Sequence, residues 1–251
     1  MRQFIAGFIV LLMSGALNAA VAFDAAVNSG DLSLTTSGSW SHTVTGTDTY
    51  IVLGLGGWDA SDTIGAATGS YAGEALTELG GRQTAGSNNS ILWGASGANT
   101  GSNTMAYANV PVAYAELGGG SVSFTGVHQT VSVGTLVSDS SETDAPSVVI
   151  TANTGDMGVD ILYSGAYGGG LLAEEEDPVA GASETGRVNS EWVVASVNQK
   201  NAVMGTEPGA GSTTMNWTDG DGYDVSYSAI PLLQSGAAAP TPKKKLMWMR
   251  Q

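Results

Sequence analysis

The chain has 251 residues, 42% of them hydrophobic and only 12% charged, with 36 glycines and no cysteine. The length suits one large all-β domain or two small ones, and the missing cysteine excludes disulfides, thiolate metal sites and a cysteine nucleophile. The net charge is −15; setting aside Arg2, Lys243, Lys244, Lys245 and Arg250 leaves three basic against 23 acidic residues, a body charge of −20 that repels phosphate backbones and excludes nucleic-acid binding.

The chain opens with "MRQFIAGFIVLLMSGALNAAVAFD": Arg2, an apolar run from Phe4 to Leu12, then small residues at Ala19, Ala20 and Ala22. That order predicts a signal peptide over residues 1–20, an apolar helix cut near an A-x-A site, and so a secreted or extracellular product. The alternative is a membrane anchor, because Phe4 to Ala22 approaches the roughly 20 apolar residues that span a bilayer. No other stretch is apolar for that long, so membrane contact is expected only through this segment.

From residue 21 to 234 the sequence predicts a single β-sandwich domain. Period-two alternation recurs at 39–46, 49–57, 90–95, 121–127, 147–152, 157–164, 191–197, 213–218 and 223–233. Each run is short, rich in Val, Ile, Thr and aromatics, and fenced by Gly, Ser, Asn or Asp. Alternating apolar faces must be buried against one another, which gives two antiparallel sheets packed face to face. Trp40, Trp93, Trp192 and Trp217 are the expected core indoles. Residues 235–251 read as an Ala/Pro linker followed by the basic-apolar tail "KKKLMWMRQ".

The motif "NWTDGDGYDV" gathers Asp219, Asp221 and Asp224 between glycines. One reading is a hairpin turn joining the strands on either side, since Asp-Gly pairs supply the positive φ that such turns require. The other is a metal loop with calcium as its ion. The EF-hand pattern fails, because its twelfth position, a bidentate Glu, is Ile230 here. A second acidic run, Glu174 to Asp177 before Pro178, reads as a solvated loop.

Several phrases in order resemble a jelly-roll-like β-sandwich module found in tailed-phage virion proteins and large secreted bacterial proteins. They are "VAFDAAV" (21–27), "WSHTVTGTDTYIVLGLG" (40–56), "YAGEALTELGGR" (71–82), "ILWGA" (91–95) and "SVSFTGVHQT" (121–130) followed by "TGDMGVDILY" (154–163). The resemblance implies a structural or surface-display module, with virion or cell-surface proteins as partners. It carries no catalytic residues to this chain.

Catalytic patterns are sparse. Glu74 and Glu78 lie four apart and are expected to share a strand face, without the aromatic cleft that a glycosidase presents. The only histidines, His42 and His128, read as separate hydrogen-bonded residues rather than a metal pair, and no G-x-S-x-G occurs. The expected function is non-catalytic: structural, display or adhesive. The alternative is a calcium-assisted carbohydrate-binding module whose exposed aromatics stack on sugar rings, with Trp58, Tyr71, Tyr163, Tyr167 and Tyr223 as ligand residues and Tyr107 and Tyr114 also in Gly-rich surroundings.

Overall fold

The computed structural model describes residues 19–58, 64–83, 88–111, 116–142, 145–165, 178–194, 198–218 and 224–236. The apolar segment 1–18 and the tail 237–251 therefore lie outside the described residues. Among those described, no helix is long and apolar enough to cross a membrane.

Among the described residues, seventeen strands and one 3-10 turn, Ile64–Ala66, make up four sheets and their links. The first nine strands are β1 (Ala22–Asn28), β2 (Gly38–Val44), β3 (Tyr50–Trp58), β4 (Thr68–Tyr71), β5 (Glu74–Ala75), β6 (Thr77–Arg82), β7 (Asn88–Ser96), β8 (Gly101–Ala108) and β9 (Glu116–Thr125). The remaining eight are β10 (Val137–Glu142), β11 (Ser147–Ala152), β12 (Met157–Ser164), β13 (Val179–Ala180), β14 (Thr185–Val194), β15 (Asn198–Pro208), β16 (Gly211–Thr218) and β17 (Asp224–Leu232). All strand pairings are antiparallel.

The expectation of two sheets is corrected: there are four. β1–β9 form a sheet of order β1-β9-β3-β7-β6 and a smaller one of order β2-β8-β4-β5; β10–β17 form β10-β17-β12-β15-β14 and β11-β16-β13. Apart from β5, which has no counterpart in the second half, these are the same order twice. β10 stands where β1 does, β11 for β2, β12 for β3, β13 for β4, and β14 to β17 for β6 to β9. Even the irregularities repeat: β6 bulges between Glu78 and Gly80 against β7, and β14 bulges between Gly186 and Val188 against β15. The chain is thus two sandwiches of one topology, which period-two patterning alone could not count.

Three apolar layers hold the four sheets together. One outer layer, with Ile51, Leu53, Ile91, Trp93 and Leu117, fills the first sandwich; the other, with Ile150, Leu162, Val203, Trp217 and Tyr227, fills the second. The middle layer joins the two larger sheets through Val52, Leu92, Val122, Phe124, Ile161 and Met204. β3 and β12 are buried on both faces, so they read as continuous apolar runs rather than alternations. Their close crossing needs glycine. A Cβ on Gly54 would stand 2.9 Å from Met204, and one on Gly56 2.8 Å from Tyr163.

The hairpin reading of 216–225 is also corrected. β16 and β17, which flank "DGDG", belong to different sheets, so this connection passes between layers. β2 and β3 are likewise split between sheets. Asp-Gly marks a turn, but the apolar pattern of the flanking strands decides which sheet each joins.

Candidate functional site

Strand direction gives the molecule two unlike poles. Tyr50, at the start of β3, pairs with Ser96 and Phe124, whereas Trp58, at its end, pairs with Asn88 and Glu116. Met157, at the start of β12, pairs with Pro208 and Leu232; Ser164, at its end, pairs with Asn201 and Val225. Gly54 approaches Ile161 and Gly56 approaches Tyr163, so β3 and β12 run in the same direction. At one pole, therefore, β1, β3, β6 and β8 of the first sandwich end and β2, β4, β7 and β9 begin, and in the second β10, β12, β14 and β16 end and β11, β13, β15 and β17 begin. The opposite pole carries 45–49, 97–100, 126–136, 153–156 and 209–210. Both ends of the folded body lie at that second pole: the Val21 amide donates to Gly155 O at 2.8 Å and the Ser235 amide to Gly126 O at 2.7 Å.

Of the predicted ligand residues that are described, Trp58 and Tyr163 stand at the first pole and Tyr71 at the second. Trp58 ends β3, half-buried against the middle layer. Tyr163 sits one residue from the end of β12, but it is fully buried and its hydroxyl donates to the Glu116 carboxylate, so its ring faces offer nothing to a ligand. Tyr71 is corrected more strongly. It is buried at the opposite pole, with its hydroxyl on His42 O at 3.2 Å and Gly101 O at 3.3 Å. Tyr107 is buried too, held by Thr35 Oγ1 at 2.5 Å. Both rings follow the period of their strands into the first outer layer, which outweighs the Gly-rich surroundings that suggested exposure. Tyr114, Tyr167, Tyr223, Asp219 and Asp221 lie outside the described residues. Asp224 opens β17 opposite Glu142, and its side chain is also outside them.

The remaining candidates separate. Glu74 lies on β5 and Glu78 on β6, both exposed, with buried Leu76 between them; they do not share a strand. His128 lies on the connection between the sandwiches, its Nδ1 accepting the amides of Thr130 and Val131 at 3.1 Å each. Among the described residues, no group of three or more His, Asp or Glu could hold a metal ion.

His42 is fully buried within the first sandwich and heads a hydrogen-bond chain. Ser123 Oγ donates to Asp24 Oδ2 at 2.8 Å, which spends its only proton, so His42 Nε2, 3.0 Å away, must donate to Ser123. Burial pushes the imidazole pKa down to about 4 against the opposing charge of Asp24, so the ring is neutral and its Nδ1 accepts from Ser121 Oγ at 2.8 Å. Ser121 in turn accepts Trp40 Nε1 at 2.8 Å. Burial works to raise the Asp24 pKa, but donation from the Thr45 hydroxyl, the Thr45 amide and Ser123 prevails and holds it below the usual carboxylate value. Ser121 is completely buried, so this serine–imidazole pair meets no substrate.

The second sandwich buries a different set. Asp160, the single charge in the run "MGVDILYS", accepts Tyr227 OH at 2.5 Å and Trp217 Nε1 at 2.9 Å on Oδ2, and the Gly205 amide at 2.6 Å on Oδ1. Glu184, which lies against Gly205 as Asp160 does, accepts the Asn216 amide at 2.8 Å on Oε2, while its buried Oε1 meets no donor. Burial, then the adjacent charge of Asp160, drives the Glu184 pKa far above the usual carboxylate range. A charged residue inside an apolar strand was the one sequence signal for this set. A groove of about 450 Å³ is lined by Val179, Ala180, Gly186, Asn189, Val203 and Trp217 itself.

Comparison with family models, with curated proteins and with solved structures gives no match.

Proposed function

We propose that this chain is a non-catalytic, exported or virion-associated display module, built as two jelly-roll-like sandwiches, with a structural or adhesive role at a surface. The observation that carries this reading is the division of poles: eight strands hand over to their connections at one pole, and the described residues enter and leave at the other. A body attached through either terminus then presents those connections away from the attachment point, on strands fixed by three packed layers. The strand order supports the jelly-roll description, since in the second sandwich the first, eighth, third and sixth strands adjoin in one sheet and the second, seventh and fourth in the other, and the first sandwich repeats this order once its extra short strand β5 is set aside. The acidic body keeps such particles dispersed.

The second reading, calcium-assisted glycan binding, draws on the same pole. Trp58 and the segments holding Tyr167, Tyr223, Asp219 and Asp221 all join strands there. The test is to immobilise the full chain through its C-terminus and measure adhesion to cells and to a glycan array, with and without a calcium chelator. Replacing 166–177 or 219–223 by Gly-Ser segments of equal length should abolish adhesion, while changes at 97–100 leave it intact. The reverse pattern overturns the display reading. Chelator-sensitive array binding lost in Asp219→Ala/Asp221→Ala selects the glycan reading.

A further inference from the structure

We propose that Asp160 and Glu184 form a proton-sharing latch that keeps the second sandwich closed around Trp217 and Tyr227 and releases when the shared proton is lost.

The register of the two sandwiches shows how unusual the pair is. Leu53 pairs with Trp93 across β3 and β7, and Leu76 immediately precedes β6. In the second sandwich the equivalent positions are Asp160, Gly205 and Glu184, the last immediately preceding β14. An apolar triad has become two acids and a glycine. The glycine is required, because a Cβ on Gly205 would collide with Glu184 Oε1 and stand 2.9 Å from the Trp217 ring.

The donors around the pair fix where the proton sits. Asp160 already accepts from three donors, whereas Glu184 Oε1 is buried with none, so the proton is assigned to Glu184. Among the described residues, no cation stands ready to replace that proton. From β15 comes a third carboxylate, Glu207, buried, with Oε1 bound to Ser183 Oγ at 2.8 Å and Oε2 unpartnered. From β16 come Trp217 Nε1 and the Asn216 amide, and from β17 Tyr227 OH, whose own ionisation is suppressed by burial and then by Asp160. β11 and β13 bring only apolar Val148, Ile150 and Ala180. Arg187 on β14 turns into the middle layer instead, with Nε on Thr206 Oγ1 at 2.9 Å and its guanidinium 3.9 Å from the centre of the Phe23 ring.

Loss of the proton to hydroxide leaves two adjacent carboxylates, with a third close enough to act on them, in an apolar layer. The sandwich relieves this by parting. The sign follows from linkage: folded Glu184 keeps a proton that an unfolded Glu releases above about 4.5, so stability is full below that pH and declines as pH rises toward the raised value.

The test is hydrogen exchange on the full chain across pH 6 to 10, corrected for intrinsic rates. Opening of β15, β16 and β17 should increase by about tenfold per pH unit, the one-proton slope, while β3, β7 and β9 hold their protection. Glu184→Gln should abolish that slope. In parallel, the side-chain carboxyl 13C shift of Glu184 in the unmodified chain should report a protonated acid at pH 7, a readout that stands even if the variant fails to fold. Equal loss in both sandwiches, an unchanged slope in Glu184→Gln, or a Glu184 carboxyl titrating in the ordinary range overturns the latch.

Discussion

The two sandwiches share a strand order down to the position of a bulge, yet they solve the problem of buried polar groups in opposite ways. The first places a neutral imidazole between two serines and lets the chain of donors run out to Asp24. The second encloses a carboxyl pair with every donor supplied locally. Topology fixes where the layers lie. What is buried within them is free to differ, and the second sandwich even leaves Glu184 Oε1 and Glu207 Oε2 without a donor.

The comparison breaks most severely if the second sandwich's acid is moved into the first. Leu53→Asp puts a carboxylate beside Leu76 and Trp93, where the Ser121 hydroxyl is already committed to His42. We expect a loss of about 4–5 kcal/mol or outright failure to fold, measured by urea denaturation. The converse change costs less. Asp160→Leu removes the buried charge but orphans Tyr227 OH, Trp217 Nε1 and the Gly205 amide, and should cost about 3 kcal/mol with a shifted Trp217 fluorescence.

The smallest effect sharpens the contrast through pH. His42 has a folded pKa of about 4 against an ordinary 6.5, so its contribution is present above 6.5 and lost as pH falls toward 4, when the unfolded chain takes up the proton first. This is the opposite slope to that of Glu184. His42→Gln should cost about 1–2 kcal/mol at pH 7 and flatten the acid limb of thermal stability between pH 6.5 and 4, leaving the alkaline limb unchanged.

Much of the strand pattern was legible in the sequence: β11 and β12 fall on the boundaries that alternation and apolar runs predict, and β3, β7 and β17 within two residues of them. β8 and β15 were not, because "GSNTMAYA" is dominated by small residues and "NQKNAVMGTEP" mixes polar and apolar positions on both faces. The duplication was hidden for a related reason. Positions that correspond in space carry Leu53 and Asp160, Leu76 and Glu184, Trp93 and Gly205, and matches such as Val52 with Val159 are too few to show as a repeat, even though the hydrogen-bonding register repeats. The buried acid pair was half visible, since Asp160 interrupts an apolar run, but its partner comes from a connection 24 residues on whose placement depends on the bulge in β14. Tyr71 and Tyr163 show the limit of loop-based reasoning: glycine nearby does not expose a ring whose strand period turns it inward.

Gly126 lies against Ala20 and binds Ser235, so the point where the polypeptide enters the body, the point where it leaves, and the start of the 126–136 bridge between halves form one junction. A short linker from Ser235 back to Ala20, with new termini opened within 126–136, would yield a circular permutant that carries the halves in reverse order with every strand pair intact. The same junction makes the whole body an insertable cassette: a host protein could receive it at a surface loop through two adjacent strands of chain, without its own fold being spread apart.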